Sequence, residues 1–151
     1  MTAGRLRAAF IAATIAWAVL LVAATFLASR AHASPIASGV ILAVYAIGGF
    51  VCHQLPERSY RLWSAQLPVC ARCAGIYFGA VLGAVAALAL RANARRARIV
   101  LALAVAPTLV TLVYEWTTGD MPSHAIRAAA GVPIGLVVAW LVVAAADNRV
   151  N

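Results

Sequence analysis

The stretch AAFIAATIAWAVLLVAATFLA, residues 8–28, runs for 21 residues without a charged side chain. A helix of roughly 20 apolar residues crosses a bilayer core, so this stretch alone is long enough to span. Four more apolar runs follow: Pro35 to Val51, Cys73 to Leu90, Ile99 to Tyr114 and Ala128 to Ala146. In lipid a segment must satisfy its own backbone hydrogen bonds, and unbroken Ala, Leu and Val runs lack the alternation of a barrel strand. The runs predict an all-α fold, a polytopic transmembrane helical bundle of about five helices.

The first run has a second reading. The basic residues Arg5 and Arg7 before it and Ala31-His32-Ala33 after it also resemble a secretory signal with a small-residue cleavage site. Its apolar core is longer than the roughly 7–15 residues of a signal, which favours a retained helix; cleavage would leave four. The chain then divides into an N-terminal helix or signal-like segment over 1–34, a membrane bundle with a Cys/His loop over 35–146, and a polar tail over 147–151.

Composition agrees: 65% of residues are hydrophobic and 11% charged, with a mean hydropathy of +0.94, which excludes an ordinary soluble domain. A net charge of +8 and a pI near 10.8 invite a nucleic-acid reading. The arginines of RANARRAR (Arg91, Arg95, Arg96 and Arg98) are better explained as a cluster flanking a membrane helix. The expected partner is therefore the lipid bilayer and not nucleic acid. Arginines divide six to six between the two faces, so the compact cluster decides: it places its own loop in the cytoplasm and the cysteines outside. A cleaved signal would reverse this.

Helices that alternate in direction put the loops 52–70 and 115–127 on one face. These two segments hold His53, His124, Glu57, Glu115, Asp120 and two of the three cysteines, with the third, Cys73, at the next helix start. The pattern is Cys52-His53, a 17-residue interval after Cys52, then Cys70-Ala71-Arg72-Cys73. A CxxC turn can supply two thiolates to a tetrahedral metal or form a redox pair. Its position at a helix start, with free amides and Arg72 beside it, favours thiolate. Cys52, His53, Cys70 and Cys73 supply the four N/S donors of a Cys₃His site, with zinc or another soft transition metal as the ion. For neighbours Cys52 and His53 to face one ion the backbone there must be non-helical, which Leu55-Pro56 permits. The alternatives are thiol–disulfide chemistry on Cys70 and Cys73, or a structural role in which Cys52 packs at a helix end and His53 bonds a carbonyl. His124 is an alternative fourth ligand.

These residues carry a resemblance. CHQ, then an ER-S pair, then LPVCARCAGIY leading into a Gly-spaced helix, resembles the uncharacterised prokaryotic membrane family known as domain of unknown function 2085. The likeness covers roughly residues 50–136, with Pro107, Glu115, Arg127 and Gly131 at matching positions. Ala74 stands where Thr is common, Glu115 where Asp is usual, and Asn is frequent near His124. The resemblance implies membrane location and a site at the cysteine cluster, with Gln54, Arg58, Arg72, Glu115, His124 and Arg127 in support, and no established activity.

Gly75, Gly79 and Gly83 form a stripe on one helix and Gly131 and Gly135 on another, a pattern that lets helix backbones approach in lipid and that could also join separate chains as a homo- or hetero-oligomer. Pro107 and Pro133 are expected to kink helices four and five. An ionised side chain at a membrane boundary generally finds a partner, so Glu115 is expected to pair with Arg127 or Arg72. Three functional classes follow: a metal-binding membrane protein, a membrane thiol oxidoreductase, and a non-enzymatic scaffold.

Overall fold

A computed structural model describes residues 3–30, 34–90 and 94–146. The Ala31-His32-Ala33 cleavage motif, Arg91 and the polar tail 147–151 fall outside the described residues, as do the side chains of Arg95 and Arg96. The elements run α1 (Ala3–Ala28), α2 (Pro35–Val51), a 3₁₀ turn at Pro56–Arg58, a hairpin of β1 (Arg61–Leu62) and β2 (Ala65–Gln66), α3 (Ala71–Ala86), α4 (Ala94–Thr118) and α5 (His124–Ala146). The expected all-α bundle of five helices is what the chain forms. Three are long and apolar enough to cross a membrane, over Ala3–Ala28, Ala97–Thr118 and His124–Ala146, while α2 and α3 are shorter apolar helices. This is a multi-pass membrane protein.

Local sequence explains the helix limits. Ser34 caps α2 by accepting the amide of Ala37, and Pro35 occupies the first turn, where its missing N–H is not needed. Pro107 and Pro133 lie inside α4 and α5, which continue through them.

The bundle is organised around α3 and α5. A Cβ on Gly75, Gly79 or Gly83 would overlap the carbonyls of Ala128, Val132 and Leu136 in turn. A Cβ on Gly131 or Gly135 would overlap those of Arg72 and Ile76. The pairing advances in the same sense along both helices, so α3 and α5 run parallel with their backbones in contact. Parallel packing is what two helices separated by one intervening pass require. The glycine stripes are thus filled within the chain. α1 lies across this pair, with Trp17 edge-on to Tyr77 at 5.9 Å between ring centroids. α4 is tied to α5 by Thr108, whose buried hydroxyl donates to the Ala130 carbonyl at 2.7 Å.

The hairpin in the 52–70 loop was not foreseen. Trp63 and Ser64 have consecutive positive φ values of 50° and 70°, the twist a two-residue hairpin turn demands, and Arg61 pairs Gln66 across it. Neither residue is a usual turn former for this geometry, so the hairpin carried no local signal.

Candidate functional site

Helix α2 ends at Val51, and Cys52 is extended, with φ −147° and ψ 137°. The chain then reverses at Gln54, whose φ is +50°. A non-glycine residue in that region needs outside support, and Gln54 has it. Its side-chain amide donates to the carbonyls of Tyr45 and Pro68, both at 2.7 Å. Gln66 in turn donates to the Gln54 carbonyl at 2.6 Å, and the Tyr45 hydroxyl donates to the Gln66 carbonyl. Gly48 makes room for this latch, since a Cβ there would collide with the Pro68 carbonyl and come within 2.8 Å of the Gln54 amide nitrogen. Gln54 therefore folds the loop onto α2. Gln66 and Tyr45 share this task and were not among the expected residues, because they act only through contacts distant in sequence.

The latch delivers Cys52 to Cys70 and Cys73. The three Sγ atoms lie within 4.8 Å of one another, Cys52 buried and the other two half-buried. The Cys70 amide donates to Cys52 Sγ at 3.1 Å, which ties the end of α2 to the start of α3. Cys70 is the N-cap of α3. Its thiol is lowered from the ordinary 9.0 to about 5, chiefly by a hydrogen bond from the Cys73 side chain, opposed by burial and helped by the backbone N–H groups of Cys73 and Arg72 and by Cys52. The expected help from the Arg72 guanidinium is replaced by help from its backbone amide. The guanidinium itself turns to α4, where it donates to Thr111 at 3.1 Å and Glu115 at 2.7 Å.

A depressed thiol has a direct consequence. Its contribution to stability is full above the unfolded value near 9 and is lost as pH falls through about 5. In reduced, metal-free protein Cys70 should be alkylated first at pH 6, its rate falling only as pH drops through about 5. Cys73→Ala should move that fall to higher pH. Peptide mass spectrometry reads both, and a Cys70 that titrates like an ordinary thiol would contradict the assigned hydrogen bond.

His53 follows Cys52 on extended backbone, where successive side chains point to opposite sides. Cys52 is accordingly buried and His53 exposed, and His53 stands outside the three-sulfur group. It does line the same cavity, of about 320 Å³, as the cysteines and Arg58, Arg72 and Arg127. A larger cavity of about 560 Å³ along α1 is lined wholly by apolar side chains such as Val19, Phe26 and Phe78, whereas the smaller one holds the thiols, His53 and the arginines. His124 is not in the sulfur group either. Its ring lies 5.4 Å from that of Tyr60, a contact that brings the 52–70 and 115–127 loops together.

Behind the cavity, Glu115 pairs with both expected partners. Arg72 Nη2 is 2.7 Å and Arg127 Nε 3.3 Å from the same Oε1. Arg127 is only 1% exposed, and its Nη1 contacts Met121 Sδ at 3.5 Å. Thr111 and Thr108, which extend this polar seam along α4, gave no sign in the sequence because single threonines are ordinary in membrane helices.

The sequence is similar to archaeal proteins that are themselves uncharacterised. It is 41% identical to an uncharacterized protein of Methanocaldococcus jannaschii over 44 residues, 29% of this chain and 28% of that one. It is 31% identical to an uncharacterized protein of Methanothermobacter thermautotrophicus over 93 residues, 61% of this chain and 84% of the relative. The chain thus spans less than a third of the first relative's length. No solved structure matches. The profile of the family described as "Predicted membrane protein (DUF2085)" matches residues 52–141, from the first cysteine of the cluster into the last helix. With more than half of its length matched, the chain belongs to the domain of unknown function 2085 family of membrane proteins.

Proposed function

We propose that the protein binds a soft transition-metal ion, zinc being the first choice, through Cys52, Cys70 and Cys73, with His53 turning in from the cavity rim as the fourth ligand. The observation that carries this is the convergence of three sulfurs from two separate segments within 4.8 Å. A Zn–S length near 2.3 Å places tetrahedral sulfurs about 3.8 Å apart, so only a small contraction separates the cluster from a ligand set. The Cys70 amide on Cys52 Sγ is the kind of outer hydrogen bond that holds a ligating group in place. Gln54, Arg58, Arg72, Glu115, His124 and Arg127 are the supporting residues: Arg58 adds charge to the cavity wall, and the other five keep the loops and helix ends in place around the cysteines. The membrane is the partner in this reading, and association with a second copy is not needed for the ligand set.

The hydrogen bond between the Cys73 and Cys70 side chains favours a second reading, thiol–disulfide exchange on that pair, since a thiolate beside a thiol is the attacking form. One experiment separates the two. Protein purified without chelator or reductant should carry about one metal ion per chain by elemental analysis, and Cys52→Ser should abolish it as completely as Cys73→Ser. Its thiols should resist alkylation until chelator or acid is added, because protonation competes with the metal. No metal, together with a reducible Cys70–Cys73 bond that survives in Cys52→Ser, would replace the metal reading with the redox one. Neither metal nor a reducible pair would leave the cluster as a scaffold contact.

A further inference from the structure

We propose that the polar cavity is an anion site in which Arg58, Arg72 and Arg127 bind a phosphate-type oxyanion. All three arginines line the cavity, and no carboxylate does. Among the described residues, the carboxylate in ion-pair contact with them is Glu115, which meets Arg72 and Arg127 from behind. Three arginines of the cavity wall are thus matched by one carboxylate, which reaches only two of them. Nε of each arginine is buried without a hydrogen-bond partner; the Arg127 contact with Glu115 is an ion pair without an aligned hydrogen bond. Arg127 has no solvent to turn to, being 1% exposed. Buried charge persists only where it is paired, and the pairing within the chain falls short.

The deficit stands whether or not the cysteines hold a metal. Three thiolates around a divalent ion carry one net negative charge, fewer than the two guanidinium charges Glu115 leaves over. The inference thus goes beyond the metal reading and does not depend on it. The planar, multiply donating guanidinium matches phosphate oxygens by two parallel hydrogen bonds. A cavity of about 320 Å³ lies at the small end of ligand sites, which span about 300–1,000 Å³, and suits a group of that size. The same oxyanion is presented by free inorganic phosphate and by the headgroup of an anionic phospholipid, and the cavity sits at the ends of the membrane helices, within reach of either.

The test is equilibrium binding of radiolabelled inorganic phosphate to the full chain in maltoside micelles, which carry no phosphate of their own. Saturable binding of about one phosphate per chain is expected, unchanged by a metal chelator. Arg58 lies outside the Arg72–Glu115–Arg127 ion pairs, so Arg58→Gln should keep its helical circular dichroism and elution volume while binding phosphate about tenfold or more weakly, as expected for loss of a charge-assisted hydrogen bond. Added phosphatidylglycerol that competes where phosphatidylcholine does not would identify the lipid headgroup as the occupant; absence of competition would identify free phosphate. The proposal fails if the parent chain shows no saturable phosphate binding. It also fails if folded Arg58→Gln and Arg72→Gln bind like the parent, or if the chelator removes binding, which would place the anion on a metal instead of the arginines.

Discussion

Glu115→Gln should destabilise the protein by about 3–5 kcal/mol, the usual cost of removing one partner from a buried ion pair. The carboxylate holds two arginines at once, Arg72 at 2.7 Å and Arg127 at 3.3 Å. Glutamine keeps the shape and one acceptor oxygen but removes the charge, leaving Arg127 inside the bundle with no counter-ion among the described residues. For a chain of this size about 3 kcal/mol corresponds to a fall of roughly 6–12 °C in the midpoint of thermal unfolding, measured in detergent by tryptophan fluorescence. The cost arises from the uncompensated cation, so removing that cation should recover part of it. The double variant Glu115→Gln with Arg127→Met is therefore expected to melt above Glu115→Gln alone, the non-additivity that marks residues in one network. A single variant within about 2 °C of the parent would show that water or lipid already neutralises the arginines.

Gly79→Leu should be at least as damaging, because the atom it displaces is backbone. A Cβ on Gly79 alone would overlap the Val132 carbonyl, and no rotamer of a larger side chain relieves a clash made by its first carbon. Overpacking of side chains costs typically 1–3 kcal/mol and occasionally more; forcing two helices apart belongs at or above the top of that range. It also removes the close approach that substitutes for hydrophobic drive in lipid. Gly135→Leu, which meets the Ile76 carbonyl, should behave alike. Gly39 supplies the matched control. A Cβ there meets nothing within 4 Å, so Gly39→Leu should leave the melting midpoint close to the parent's. Equal melting of Gly79→Leu and Gly39→Leu in detergent would mean that α3 and α5 do not depend on these faces.

Much of this arrangement was legible along the chain, for reasons that differ between its parts. The helix α2 was expected over Pro35–Val51 and forms there, because Ser34 and Pro35 mark its start and the polar Cys-His-Gln run its end. The glycine stripes announced the α3–α5 contact because a residue without a side chain every fourth position has few other uses in a membrane helix. Glu115 was expected to find an arginine for a similarly general reason, the cost of charge at a membrane boundary. What could not be read was the choice between Arg72 and Arg127. The fold takes both, since the parallel contact of α3 with α5 brings the start of each helix to the end of α4.

The chain by itself determined a multi-pass helical membrane protein, its family pattern, and the residues able to do chemistry. Those properties follow from composition, from runs long enough to cross a bilayer, and from spacings of three or four residues along a helix, all of which are local. The tertiary structure alone decided which of those residues meet. It turned Cys52 inward and His53 outward, because extended backbone at the helix end alternates its side chains. It built the Gln54, Gln66 and Tyr45 latch and the Trp63–Ser64 hairpin, whose hydrogen bonds join positions far apart in sequence. It tied the Arg72 guanidinium to Thr111 and Glu115 on α4 and set its backbone amide beside Cys70. Contacts of this kind depend on how helices are placed against one another, and helix placement is a property of the packed bundle that no short stretch of the chain encodes.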